Sequence, residues 1–157
     1  ALAFLRSNGE ARATIFDLPD AIELANERIE SLGMTDRIAT VAGDFYEDEL
    51  PEGVDFAWVS AIVHQHDRDH NRKLFEKIHR ALVPGGKIGI RDIIMQADRT
   101  HPLPGAMFAI NMLVNTRGGD TYTFDEIEDA LETVGFQQVE LVRKGERMDC
   151  LVEARKL

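Results

Sequence analysis

Residues 54–63, VDFAWVSAIV, are almost unbroken in apolar side chains. A strand with no polar alternation has no wet face, so it belongs in a sheet covered on both sides, the setting of parallel strands joined by helices. The flanking sequence has the matching rhythm. ATIF at 13–16, RIATVAG at 37–43 and KIGIRDIIM at 87–95 read as further strands. Residues 20–32 place Ile22, Ala25, Ile29 and Leu32 at helical spacing and stop at Gly33. Residues 69–82 carry Leu74, Phe75, Ile78, Ala81 and Leu82 on one face and close at the PGG of 84–86. Residues 104–115, PGAMFAINMLVN, are apolar nearly all round, so that helix is expected to be buried or covered. Thr123 and Glu126 form a T-x-x-E capping box, opening a helix through Ile127, Leu131 and Val134 to Gly135. FQQVELVRK and MDCLVEARK then pair as a hairpin across GER. Strands alternating with helices specify parallel βαβ units, and the tight final turn specifies an antiparallel pair. The expectation is an α/β fold: a doubly wound, mostly parallel sheet with an antiparallel C-terminal strand pair, one domain over 1–157.

Charge and cysteine content narrow the function. The net charge of -10 with no Lys/Arg cluster argues against a nucleic-acid or anionic-membrane partner, since tracking phosphates needs a basic stripe. The single Cys150 forms no internal disulfide and suits a reducing compartment. Without a long apolar run or a signal-peptide pattern, a cytoplasmic location is expected. The opening ALAFLRSNGE begins helix-like and without an initiator Met, so the chain is expected to be the later part of something longer.

Ligands of open α/β sheets bind outside the carboxyl ends of the strands. Asp17 ends the first strand, where a carboxylate can accept from both hydroxyls of a ribose; it could equally cap the following helix. Asp44-Phe45 ends the next, an acceptor and a ring that suit an adenine, or a loop acid beside a core aromatic. Ser60-Ala61 ends the third, followed by VHQHDRDH. His64, His66 and His70 could in principle ligate zinc, but no Cys or well-spaced Glu completes a set, so no metal is expected. His64 stands one turn past a strand end, where an imidazole suits proton abstraction, or it is a loop histidine with no chemical role. Asp92, near the end of the neighbouring strand, could hold its tautomer. Asp67 and Asp69 read as acids favoured at a helix start.

Three stretches together resemble a known family: ATIFDLPDAIELA, then IATVAGDFYEDELPEGVDFAWVSAIVHQHDRDHNRKLFEKIHRALVPGGKIGIRD, then NMLVNTRGGDTYTFDEIEDALETVGF. They are similar to the Rossmann-like catalytic domain of S-adenosylmethionine-dependent O-methyltransferases, in the small-molecule branch related to caffeate and acetylserotonin methyltransferases. The resemblance implies S-adenosylmethionine as cofactor, contacted by Asp17 with Leu18, by Asp44 and Phe45, and by Ser60. It implies a small, aromatic acceptor whose hydroxyl is deprotonated by His64, with Asp92 as a flanking acid. The acceptor would be lined by Met107, Phe108, Asn111, Met112 and Asn115, and a homodimer is implied for the full-length protein. Thr121 occupies the place of the family's second flanking acid. By the same resemblance, the family's first strand, glycine-rich loop and N-terminal helical region would precede Ala1. Two other readings stay open: a non-catalytic assembly module, and an NAD-dependent oxidoreductase on a similar sheet.

Overall fold

The computed structural model describes residues 1–157. The chain forms two compact units, Ala1–Pro51 and Glu52–Leu157. The first holds α1 (Leu2–Ser7), β1 (Ala13–Asp17), α2 (Pro19–Ser31) and β2 (Ile38–Ala42). β1 and β2 pair in parallel, Ala13 opposite Ile38 through Asp17 opposite Ala42, with α2 as the crossover. Pro19 sits in the first turn of α2, where its missing N–H costs nothing, and Gly33 takes φ 62 just past its end. Leu5, Ile29 and Ile38 form the buried core of this unit. The Arg37 guanidinium donates to the carbonyls of Leu5, Asn8 and Ala11, closing the loop between α1 and β1.

The second unit holds β3 (Val54–Ser60), a 3-10 turn at Val63–Gln65, α3 (Arg68–Ala81), β4 (Leu82–Asp92) and β5 (Ile94–Met95). It continues through α4 (Leu103–Asn115), β6 (Tyr122–Thr123), α5 (Phe124–Thr133), β7 (Phe136–Arg143) and β8 (Cys150–Lys156). The main sheet has the order β3-β4-β8-β7, and β5 with β6 forms a short parallel pair. β3 and β4 are parallel; β8 is antiparallel to both β4 and β7. One face of this sheet is the core: Ile88 and Ile90 of β4 and Val152 and Ala154 of β8 are buried with Phe75, Ile78 and Leu131 of the helices. The chain is thus the expected mixed α/β protein with a closing antiparallel pair, and the Thr123–Glu126 capping box is present in both directions. No helix is long and apolar enough to cross a membrane.

The structure departs from the sequence pattern in particular places. β3 stops at Ser60, because Ala61 takes φ 58 and the last apolar residues of the run turn into the 3-10 segment. Burial on both faces of β3 was expected, yet Trp58 remains 50% exposed beside Phe56 on the face opposite the core. α3 ends at Ala81 without needing PGG as its stop; β4 begins at once, and PGG forms an irregular entry where the register slips between Val54 and Phe56. Gly86 is required there, since a Cβ would meet the Val83 carbonyl at 2.9 Å. α4 was expected to be buried or covered. Of its residues only Gly105 is buried, while Leu103, Met107, Ile110, Leu113 and Val114 are exposed. At Gly105 the helix lies against Ile93 and Met95, too close for a larger side chain.

Candidate active site

Parallel pairing brings the carboxyl ends of β3 and β4 to one edge, with Ser60 opposite Arg91. Alternation along β4 then sends Asp92 toward the core face. The left-handed Ala61, its N–H donating to the Arg91 carbonyl at 2.9 Å, swings the chain into the turn that carries His64. His64 is 6% exposed and Asp92 3%. His64 Nδ1 lies 2.8 and 3.0 Å from the two Asp92 oxygens, and Asp92 also accepts from the Ile93 N–H at 2.8 Å. An ionised carboxylate only accepts, so the hydrogen bond places a proton on Nδ1, and in the neutral ring Nε2 then carries the lone pair. That is the tautomer able to take a proton from a ligand. Phe108 of α4 packs edge-on against the imidazole, centroids 4.9 Å apart.

The turn is held from several sides. The Asn71 amide of α3 donates to the Val63 carbonyl at 2.9 Å, and the Tyr122 hydroxyl donates to the His66 carbonyl. The Asp120 N–H donates to the His64 carbonyl at 3.0 Å. Burial, with Asp120 and Asp67 nearby, pushes the Tyr122 phenol up to about 12, so it remains a donor throughout the neutral range. Arg99, itself at φ 57, clamps the segment after α4 by donating to the Thr121 carbonyl at 3.0 Å and to Asp120 and Glu126. Gly119 fits beneath the turn only because it lacks a Cβ, which would stand 2.6 Å from the His64 carbonyl oxygen. Gly119→Ala is expected to destabilise the protein by about 1–3 kcal/mol through this overlap, read as a lower urea midpoint; an unchanged midpoint would show that the turn yields freely.

The histidines do not converge on a metal. His64 is committed to Asp92, His70 Nδ1 lies 2.8 Å from Asp67, and no group of three or more His, Cys, Asp or Glu side chains could hold an ion. Burial first, then His70, lowers the pKa of His66, which stays neutral at pH 7. Asp67 caps α3 by accepting from the His70 N–H at 2.9 Å, as its position suggested. Thr121 is buried and stands where the second flanking acid was expected. Of the acceptor-lining candidates on α4, Phe108 reaches His64. Met112 is half-buried, Met107 is 61% exposed, and Asn111 and Asn115 are exposed. The Asn115 amide donates to the Asn111 carbonyl at 3.0 Å.

In the first unit, Asp17 is exposed at the end of β1, and one of its oxygens accepts from the Leu18 N–H at 2.8 Å. The N-cap of α2 is Leu18 and no side chain caps it, so the capping alternative for Asp17 does not hold. Asp44 closes a tight turn, its Oδ1 accepting from the Tyr46 N–H at 2.9 Å. Phe45 is half-buried, its ring 4.9 Å from that of Tyr46. The exposed Asp17 carboxylate and the Asp44-Phe45 turn offer the acceptor oxygens and the aromatic face that suit a ribose and an adenine.

Sequence reasoning passed over Asn71, Arg91, Arg99 and the packing role of Gly119. Asn71 had a legible signal, an amide on the same helical stripe as Leu74, Phe75 and Ile78. Arg99 had none, since its partners lie 21 to 27 residues away.

Fold and site define a mixed α/β protein with an Asp-oriented imidazole at the carboxyl ends of parallel strands. The chain belongs to the O-methyltransferase domain family, whose model matches residues 3–137. It is 39% identical over 138 residues to a 3-hydroxy-5-methyl-1-naphthoate 3-O-methyltransferase of Streptomyces sahachiroi, covering 88% of this chain and 40% of that one. A family 2 O-methyltransferase of Planctomyces limnophilus, solved with apigenin, matches at TM-score 0.90 and 27% identity over 99% of this chain and 47% of its own. Human N-acetylserotonin methyltransferase, solved with S-adenosylmethionine, matches at TM-score 0.85 and 26% identity, over 97% of this chain and 42% of its own. The chain thus spans less than half the length of these relatives.

Proposed function

We propose that this protein transfers a methyl group from S-adenosylmethionine to a hydroxyl of a small, aromatic molecule, with His64 as the general base. The observation that carries the reading is the buried His64–Asp92 pair at the carboxyl ends of β3 and β4. Family membership and relatives named for O-methylation of small molecules support it. Since one family match runs through 3–137, both units are taken as parts of one catalytic domain. Asp17, Leu18, Asp44, Phe45 and Ser60 are the proposed cofactor contacts. Met107, Phe108, Asn111, Met112 and Asn115 are the proposed acceptor contacts, with Phe108 nearest the base. A homodimer and a cytoplasmic location belong to the same reading; the exposed apolar residues of α4 and the buried free Cys150 are in keeping with them.

The cofactor, when bound, would supply an electrophilic sulfonium methyl whose leaving group is a neutral thioether. The protein's part is then positioning and one proton transfer. His64 Nε2 accepts the acceptor's hydroxyl proton as its oxygen attacks the methyl, and Asp92 keeps Nδ1 protonated so that Nε2 is free to do so. Burial of both residues shields their hydrogen bond from solvent.

Calorimetric titration with S-adenosylhomocysteine beside NAD tests the cofactor assignment. S-adenosylhomocysteine is expected to bind and NAD not, with Asp17→Ala weakening binding about tenfold or more through loss of charged hydrogen bonds to the ribose. NAD binding alone would instead support the oxidoreductase reading. Cofactor binding without turnover on any phenolic acceptor would support a non-catalytic role.

A further inference from the structure

Arg91 stands on the face of β4 opposite to Asp92, at the same carboxyl edge. Its Nη1 donates to Ser60 Oγ at 3.2 Å, across the parallel pair in which the two residues are register partners. Its carbonyl fixes Ala61 in the left-handed conformation through the 2.9 Å bond from the Ala61 N–H. A non-glycine residue at positive φ, right after the strand end, marks an edge shaped for something other than continuing the strand.

The guanidinium is half-buried and makes a single hydrogen bond, to a neutral hydroxyl. No acid neutralises it. Asp92 faces the other way and is committed to His64 and Ile93. Glu153, on the same face two register positions back, is paired with Lys87 at 3.3 Å. A guanidinium has five N–H donors in a planar fork that matches a carboxylate, and most of that capacity is unspent at a place where α/β sheets receive ligands.

We infer that Arg91, steered by Ser60, binds a ligand carboxylate, namely that of the amino-acid end of the cofactor. This rests on the cofactor assignment made above and deepens it. β3 ends on Ser60, whose hydroxyl can orient a carboxylate but cannot balance its charge; the cation comes from the adjacent strand. Ser60 thus acts chiefly by holding the Arg91 fork toward the edge, and Arg91 makes the charged contact.

The test compares two probes, S-adenosylhomocysteine and 5′-methylthioadenosine, which share the nucleoside and thioether but differ in the amino-acid end. Binding of both is measured by calorimetry for the wild-type protein, Arg91→Met and Arg91→Lys. Arg91→Met is expected to weaken S-adenosylhomocysteine about tenfold or more, the usual size of a lost charge-assisted bond, and to leave 5′-methylthioadenosine unchanged. Arg91→Lys keeps the charge without the fork and falls between. An unchanged 5′-methylthioadenosine affinity also shows that the variants are folded. Equal weakening of both probes, or no weakening of either, overturns the assignment of Arg91 while leaving the cofactor class intact. If the wild-type protein binds neither probe, the cofactor reading itself fails and this inference falls with it.

Discussion

His64→Ala is expected to lower the rate of methyl transfer by about 10²–10⁴-fold, the range that a positioned general base contributes, while S-adenosylhomocysteine affinity stays unchanged. The residue qualifies on geometry before chemistry. It is buried, its Nδ1 is bonded to Asp92 at 2.8 Å, and its backbone is fixed at the Asp120 N–H. Phe108 packs against the ring, so the imidazole has little freedom to leave this pose. Initial rates with a phenolic acceptor, over a range of both substrates, would place the loss in kcat and not in cofactor KM. A variant within a few-fold of wild type would remove His64 as the base and shift attention to positioning alone.

Asp92→Asn should cost nearly as much, for a different reason. The amide is isosteric and can still accept from the Ile93 N–H, so the fold is expected to hold. It can also turn its NH2 group toward His64 Nδ1. The imidazole then holds its proton on Nε2 and presents a donor where an acceptor is needed. A loss of about two to four orders of magnitude in kcat is expected, as for other base histidines whose partner aspartate is neutralised in place. Nitrogen chemical shifts of the His64 ring give an independent readout, moving from the Nδ1–H to the Nε2–H tautomer. Retained activity with an unshifted tautomer would show that Asp92 is not what orients the base.

The rhythm of strands and helices was legible because burial imposes its own period on each element, and those periods are local. ATIF, the stripe through Leu74, Phe75 and Ile78, and the Thr123–Glu126 box each specify an element from a few neighbouring residues. The strand-end positions of Asp17, Asp44, Ser60 and His64 follow from the same local signals. The His64–Asp92 pair was within reach since each residue lies at or just past the end of an identifiable strand, although 28 residues separate them.

What stayed hidden depends on partners far away in sequence or on burial decided by the assembled layers. Where VDFAWVSAIV stops being a strand turns on Ala61, whose left-handed φ is held by the Arg91 carbonyl. The two-faced covering inferred for that run fails at Trp58, and the covering inferred for α4 fails from Leu103 to Val114, because an apolar pattern states a preference for burial and not what is present to bury it. The Tyr122 hydroxyl reaches His66 across 56 residues, and Gly119 is needed because the Thr116 hydroxyl and the His64 carbonyl crowd it. Sequence by itself determined the α/β class, the order of strands and helices and the residue types near the strand ends, through short-range periodicity. Only the tertiary structure decided that Asp92 accepts a hydrogen bond from one nitrogen of His64, that Arg91 faces Ser60 with no acid to meet it, and that α4 leaves most of its large apolar side chains exposed, since each depends on pairing register and on which faces meet.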